Sequence, residues 1–438
     1  MTAAVPVLIV GAHPVIVSED PLESLTDKER ASLSKLVRVK VAGDKWSITR
    51  SGRYAGLVRT TSLALWIEPP FSTAAFLYLL LRRSGLPELA DSAYKLASTG
   101  HDRGHRSIMT VLALLMGREA EKLAAAHIAQ AYAQRTQRLG VVRGRPLWHR
   151  QGGRPKDGTV LTRFDEKTTD VLENRLVLAG IAGAQRWLSG GVQLRTQEFV
   201  WRSLAEPVVP AKHDFDIAMS RLNRLTEAYG PVLSLAQALL FGLNFEPDRA
   251  DVGINSPTFD LALLFETLVE DIAALAYKRH GLQVTRQTSE GQALVDGLGR
   301  TYRSIRPDLV VYNGEVPKRV IDSKFKPVYA TGGEKPSGKH RLSREDIFQT
   351  FFYATRLAQR HNQSRPLPAA IAAPLLDGGQ APHEAFRTVR WGEDNVDTAR
   401  LDLLLVPVDD GVRALRRSDH EWCDQVVRPK LATNQITN

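Results

Sequence analysis

Cysteine is almost absent: Cys423 is the single one among 438 residues. No intramolecular disulfide can form, no cysteine-rich zinc cage is available, and a reducing compartment is expected. Long apolar runs are missing as well. The best candidate, Ala74 to Leu81, falls far short of the roughly 20 residues that span a bilayer and runs into Arg82 and Arg83. The first residues, Met-Thr-Ala-Ala-Val-Pro, carry no basic stretch and are followed by the breaks Gly11, His13 and Pro14, so a secretory signal is not expected. The chain reads as soluble and cytoplasmic, with no membrane partner. It has no internal repeat and no low-complexity tract. With 43% hydrophobic and 24% charged residues its composition is globular, and its length implies two or three folded units.

Several common chemistries are excluded by what the motifs lack. Gly333-Glu-Lys-Pro-Ser-Gly-Lys339 imitates a phosphate loop, but His340 stands where Ser or Thr is required, Pro336 interrupts it and no strand leads in. The chain is not expected to hydrolyse nucleotides itself. His101 and His105 lack an acidic third partner, His420 and Cys423 form an isolated pair, and no Ser-His-Asp set is present.

Acidic residues are in deficit: 58 Lys plus Arg against 48 Asp plus Glu, a formal charge of +10. Such a balance favours polyanionic partners through phosphate neutralisation. The excess is uneven. Between Tyr132 and Arg163 lie Arg135, Arg138, Arg143, Arg145, Arg150, Arg154, Lys156 and Arg163 against Asp157 alone. An arginine-weighted cluster suits bidentate phosphate contact, which marks Arg143, Arg145, Arg150 and Arg154 as candidate DNA-binding residues, although a solvated face is the plainer alternative.

The pattern divides the chain into four. Residues 1–70 alternate in short pieces separated by Gly and Ser, which predicts a small β-rich module. Residues 71–247 are mainly helical, with helix through Phe71–Leu139, a basic loop and strand segment at 140–168, and helix again from Asp170 to Phe241. Residues 248–376 read as helix (Thr258–His280), hairpin, helix from a Ser343 cap, and a buried strand at Pro368–Leu376, an α/β unit. Residues 377–438 form an extension without an assigned role.

The chemistry concentrates in Arg306-Pro-Asp-Leu-Val-Val-Tyr-Asn-Gly-Glu-Val-Pro-Lys-Arg-Val-Ile-Asp-Ser-Lys-Phe325. Asn313-Gly314 is a turn signal between two β-prone runs, and a hairpin centred near Glu315 sets Asp308 opposite Asp322. Period two then places Asp322 and Lys324 on one face, with Ile321, Ser323 and Phe325 on the other. Two carboxylates and an ammonium are what metal-assisted phosphodiester hydrolysis requires: Asp308, Asp322 and the Ser323 carbonyl as hard ligands for Mg²⁺, and Lys324 to orient a water and stabilise developing charge. Glu266 or Glu270, one turn apart on the preceding helix, could add a carboxylate, and Gln349 with Tyr353 could position Lys324 or touch substrate. Asp165-Glu166-Lys167 and Pro247-Asp248 repeat fragments of this pattern without the partner piece.

Taken together the chain resembles the McrC family, the nuclease subunits of McrBC-type modification-dependent restriction systems, which carry a C-terminal restriction-endonuclease-like PD-(D/E)xK domain. The likeness is carried by Ser51-Gly-Arg-Tyr-Ala-Gly-Leu-Val58, Gly140-Val-Val-Arg-Gly-Arg145, Phe164-Asp-Glu166, Glu173-Asn-Arg-Leu176, Leu264-Phe-Glu266, Arg306-Pro-Asp308, Ile321-Asp-Ser-Lys-Phe-Lys326, and Asp346-Ile-Phe-Gln349 with Tyr353-Ala354. The resemblance implies a Mg²⁺-dependent endodeoxyribonuclease with Asp308, Asp322 and Lys324 as its core, Glu266 as the helix acid and Gln349 as an accessory. It also implies a partner, an AAA+ GTPase of the McrB type that recognises modified double-stranded DNA and docks on the N-terminal half. Pro69-Pro70-Phe71 stands where the family usually has a Pro-Lys pair. The rival readings are a stand-alone PD-(D/E)xK nuclease of defence or repair and a non-catalytic subunit that regulates a GTPase.

Overall fold

The structure is a computed structural model that describes residues 7–11, 13–18, 20, 23, 25–59, 64–99, 108–126, 128–150, 158–188, 193–241, 258–286, 292–295, 301–304, 306–326, 343–375, 384–387 and 400–427. The phosphate-loop mimic, His101, His105, Arg154 and Pro247-Asp248 lie outside these residues. The fold is mixed α/β, with several sheets and twelve α-helices among the described residues. Two compact units divide the chain: Met1–Lys95 with Pro247–Asn438, and Leu96–Glu246.

The first unit opens with β1 (Val7–Val10), β2 (Val15–Val17), α1 (Asp27–Leu36), β3 (Val37–Ala42), β4 (Lys45–Arg50), β5 (Tyr54–Arg59) and β6 (Ala64–Ile67). A capping box starts α1: the Glu29 amide donates to the Thr26 hydroxyl, and the Thr26 amide donates back to the Glu29 carboxylate. Its apolar stripe, Leu33 and Leu36, packs with Val10, Ile48, Leu65 and Ile67. Helices α2 (Thr73–Arg83) and α3 (Pro87–Ser98) follow. The apolar run Ala74–Leu81 is the buried length of α2. No helix among the described residues is long and apolar enough to cross a membrane.

The second unit contains α4 (Ile108–Ala126), β7 (Ala131–Leu139), β8 (Arg145–Pro146), a 3-10 turn (Trp148–Arg150), β9 (Val160–Thr168), α5 (Leu172–Gln185), α6 (Arg195–Arg202), α7 (Lys212–Ser220) and α8 (Tyr229–Phe241). The helix expected through Leu139 ends at Ala126. Residues 131–139 instead pair antiparallel with β9 over nine positions, because Ala-Tyr-Ala-Gln-Arg-Thr-Gln-Arg-Leu has no apolar stripe with which a helix could bury a face. Helices α5 and α8 cross tightly at Gly180, where a Cβ would come within 2.4 Å of the Ala236 Cβ.

The chain returns to the first unit through β10 (Thr258–Asp260), α9 (Leu261–Lys278), β11 (Gln283–Arg286), β12 (Gln292–Val295), β13 (Thr301–Ser304), β14 (Leu309–Asn313), β15 (Val316–Ser323), α10 (Arg344–Arg360), β16 (Ala369–Leu375), β17 (Glu384–Arg387), β18 (Arg400–Pro407), α11 (Val408–Arg417) and α12 (His420–Val427). β10 adds to the N-terminal sheet, in the order β1-β6-β5-β10. A six-stranded mixed sheet, β11-β14-β15-β16-β18-β17, forms the centre. Its middle strand β16 lies parallel to both neighbours and is buried from Ala369 to Pro374, as a strand covered on both faces must be. α10 covers one face, where Ala354, Leu357 and Ala358 meet Val310, Val320 and Ile371. Residues 400–427 build into this unit: β18 pairs with β16, and Gly411 of α11 lies close against Leu268 and Ile272 of α9.

Candidate active site

The hairpin β14–β15 turns through Gly314, at φ +57°, and Glu315. A two-residue turn alone would leave the strands one residue out of step. A bulge between the pairs Val311↔Arg319 and Tyr312↔Pro317 leaves Lys318 unpaired and absorbs the difference. Beyond it the pairs Val310↔Val320 and Leu309↔Ile321 bring Asp308 opposite Asp322 as the next step outward. The strand ends at Ser323, earlier than the expected Phe325, though the Lys324 amide still donates to the Ala372 carbonyl at 2.8 Å. Asp322 is on the α10 side of the sheet, which it shares with Val320, and the Thr350 hydroxyl lies 3.5 Å from its Oδ2.

Asp322 is 1% exposed, and the Lys324 ammonium reaches its Oδ2 at 2.7 Å. Asp308 is held otherwise: its Oδ2 accepts from the Ser323 amide at 2.7 Å and from the Ser323 hydroxyl at 2.9 Å. Sequence reasoning used Ser323 for its carbonyl only, since nothing in the pattern told which carboxylate its donors would reach. Burial, and then the adjoining Asp308 charge, push the Asp322 carboxyl up to about 7 against the pull of Lys324. Burial alone would lower the Lys324 ammonium, but Asp322, Asp308 and Asp346 hold it above its ordinary value. Two carboxylates sharing one ammonium leave an excess of negative charge in a desolvated place.

The surrounding candidates separate. Lys326 pairs with the buried Asp346 at 2.8 Å, and the Asp346 amide donates to the Ser343 hydroxyl that caps α10. Gln349 is exposed and donates to the Tyr353 hydroxyl at 3.1 Å, beside a shallow groove lined by Phe348, Phe351 and Phe352. Glu270 is engaged by Arg286 at 2.9 Å; burial raises its pKa. Glu266 stands one turn earlier on α9, after Phe265, whose ring lies 5.8 Å from that of Phe325.

Among the described residues no group of three or more His, Cys, Asp or Glu side chains is arranged to hold a metal ion. Asp308 and Asp322 stand as a pair. The pair still suits a divalent cation: the Asp322 Oδ1 is buried with no hydrogen-bond partner, beside a second carboxylate, and both donors are hard oxygens.

The basic segment belongs to the second unit. Arg145 sits in β8 opposite Arg163 of β9, and Arg150 ends the 3-10 turn. Arg143 stacks 4.3 Å from the Phe164 ring centre and lies 3.6 Å from Glu166, which also meets Arg135 at 3.4 Å. The acid of the Asp-Glu-Lys decoy is thus held between arginines on an exposed sheet.

A family profile described as McrBC 5-methylcytosine restriction system component matches residues 49–364. The chain belongs to the McrBC family. One solved structure, a refined half-complex from a tetradecameric assembly of Thermococcus gammatolerans McrB AAA+ hexamers with bound McrC, has a chain 16% identical to this McrBC-family protein. The match covers 95% of this chain and 100% of that one at a TM-score of 0.64, so the two share a fold. A second, the cryo-EM structure of the Thermococcus gammatolerans McrBC complex, is 18% identical over 60% of this chain and 86% of that one, at a TM-score of 0.43. Comparison with curated protein sequences gave no match.

Two motifs of this McrBC-family chain acquire structural roles. Arg53, in Ser51–Val58, makes paired hydrogen bonds of 2.7 and 3.0 Å to Asp260, whose side chain caps α9. β5 pairs there with β10, so the early motif anchors the helix that carries Glu266. Asn174, fully buried, donates to the carbonyls of Ala129 and Thr169 and accepts from the Tyr229 hydroxyl at 2.6 Å. Both of its donors and its oxygen are engaged inside the unit, which makes Glu173-Asn-Arg175 a tether at that residue.

Proposed function

We propose that this chain is the DNA-cleaving subunit of its restriction system. It hydrolyses phosphodiester bonds of modified double-stranded DNA, in the cytoplasm, when assembled with an AAA+ GTPase of the McrB type. The observation that carries this reading is the convergence of Asp308, Asp322 and Lys324 at the open end of one hairpin, with the Asp322 Oδ1 buried and unpartnered. That set is the core of a PD-(D/E)xK nuclease domain. The assembly with hexamers in the structure that shares this fold supports the choice of partner.

Asp308, Asp322 and the Ser323 carbonyl would hold Mg²⁺, which when bound supplies Lewis-acid polarisation of a phosphate oxygen. Lys324, tethered to Asp322, orients the attacking water and stabilises the negative charge that grows on the phosphate. Removing one such stabiliser costs about 2.7–4 kcal/mol of barrier, roughly 100- to 1000-fold in rate. Glu266 is the further acid from α9, and Gln349, linked to Tyr353, is an accessory contact. Arg143, Arg145, Arg150 and Arg154 are assigned to backbone phosphates of the DNA.

The test combines the full chain, its GTPase, GTP, Mg²⁺ and 5-methylcytosine duplex. Cleavage is expected from the complete mixture, little from the chain alone, and none with Asp322→Ala or Lys324→Ala. Strong cutting by the lone chain would establish the stand-alone nuclease instead. GTPase stimulation without cleavage by any mixture would establish the regulatory subunit.

A further inference from the structure

Lys324 lies just past the end of its strand, with one ladder bond to the Ala372 carbonyl, so something beyond the sheet has to hold it. The side chain that follows supplies an anchor. By strand alternation Phe325 points away from the Asp322 face, and its ring is gripped on two sides. Phe71 meets it edge-on, with ring centres 6.5 Å apart at 82°, and Phe265 of α9 lies 5.8 Å away at 56°. The cluster continues from Phe71 to Phe76 at 6.4 Å and on to Phe259 at 5.4 Å, the residue that leads into α9. Phe76, Phe259 and Phe265 are at most 3% exposed, and Phe71 is 9% exposed. Phe71 is itself fixed, because the next residue, Ser72, caps α2 and hydrogen-bonds through its amide and hydroxyl to the Asp409 carboxylate.

We propose that Phe71 is a positioning residue for the nuclease centre, holding Lys324 in line with Asp322 by clamping the Phe325 ring against Phe265. Phe71 touches neither substrate nor metal ligand; it acts through the backbone at Phe325. Each aromatic contact fixes a ring plane as well as a distance, and a rigid plane one residue from Lys324 restricts the swing of its stem. A contact from the N-terminal segment thereby reaches the reacting end of the hairpin, 254 positions along the chain from Phe71 to Phe325.

The inference rests on the nuclease reading, and the experiment separates the two. Full-length chain assembled with its GTPase is assayed on 5-methylcytosine duplex with GTP and Mg²⁺, comparing wild type with Phe71→Leu, Phe71→Tyr, Phe325→Leu and Phe215→Leu. Phe215 is a buried aromatic paired edge-on with Phe241 in the other unit and controls for lost core packing. Phe71→Leu and Phe325→Leu should each lower kcat by about 10-fold or more with KM within about 2-fold, since displacement of a reacting group by about 1 Å costs up to roughly 100-fold. Phe71→Tyr, which keeps the ring, should restore kcat, and Phe215→Leu should lower the melting temperature while leaving kcat unchanged. Wild-type kcat in both Phe71→Leu and Phe325→Leu overturns the proposal. So does a kcat loss that Phe215→Leu reproduces at equal loss of melting temperature. If Phe71→Leu does not fold, Phe325→Leu decides by the same criterion. A wild-type assembly that never cleaves defeats the nuclease reading, which is a different result from a cleaving wild type matched by its Phe71 variant.

Discussion

Asp308 depends on Ser323 for its orientation. Both donors of that serine, amide and hydroxyl, converge on one carboxylate oxygen and leave the other oxygen of Asp308 for a different partner. Because the amide bond survives substitution, Ser323→Ala is a graded perturbation. A hydrogen bond to a charged acceptor contributes about 1.5–3 kcal/mol, so cleavage should fall by roughly 10- to 100-fold while the melting temperature stays near wild type. Single-turnover rates of Ser323→Ala and Ser323→Thr check this, with the threonine variant keeping the wild-type rate. A Ser323→Ala enzyme as fast as wild type would show that the hydroxyl does not position Asp308. At the same scale, Arg319 illustrates a charge that sequence reasoning left unused. It binds Asp402 at 2.5 Å, the Tyr277 hydroxyl at 3.0 Å and the Val427 carbonyl at 2.6 Å, with both charged side chains nearly buried.

Within the hairpin, the additional residue Lys318 is looped out of the ladder, so that Arg319 and the residues after it pair in step with β14. Pro317 beside it has no amide to offer a ladder, which makes this the cheapest place for the irregularity. Deleting Lys318 closes the bulge while Arg319 stays opposite Val311, so Asp322 keeps its place opposite Asp308 on the α10 face. The deletion variant should therefore retain Mg²⁺-dependent cleavage; its loss would show that the bulge itself shapes the site. This hairpin was legible in the sequence because its causes are local: Asn313-Gly314, two short apolar runs and a period of two. The Ser343 cap of α10 and the buried strand ending at Leu375 were legible for the same reason. The contacts that hold the hairpin in place were not. The pairing of β10 with β5, the Arg53–Asp260 bridge and the Phe71–Phe325 contact each join residues more than 190 positions apart, and no periodicity records them. The misread end of α4 has another cause, since Tyr132 continues the apolar spacing of that helix by coincidence.

For the whole molecule, the consequential feature is that the chain closes its central sheet late. The sequence reading placed residues 377–438 in an extension, yet β18 lies against β16 over seven register pairs and α12 ends at Arg319. A chain stopped after Leu376 would expose the apolar edge of β16 and strip Arg319 of Asp402. Breaking a buried ion pair costs about 3–5 kcal/mol, a large part of the roughly 5–15 kcal/mol that stabilises a protein. The truncated chain should therefore be insoluble or unfolded by circular dichroism, whereas a soluble, cooperatively melting product would contradict the shared sheet. The central claim concerns the buried, unpartnered Oδ1 of Asp322, which stands beside a second carboxylate and shares one ammonium with it. Manganese titration of the full-length chain followed by electron paramagnetic resonance tests it directly. Saturable Mn²⁺ binding that Mg²⁺ displaces, and that disappears in Asp322→Ala, is the predicted result; equal binding by wild type and Asp322→Ala would contradict it.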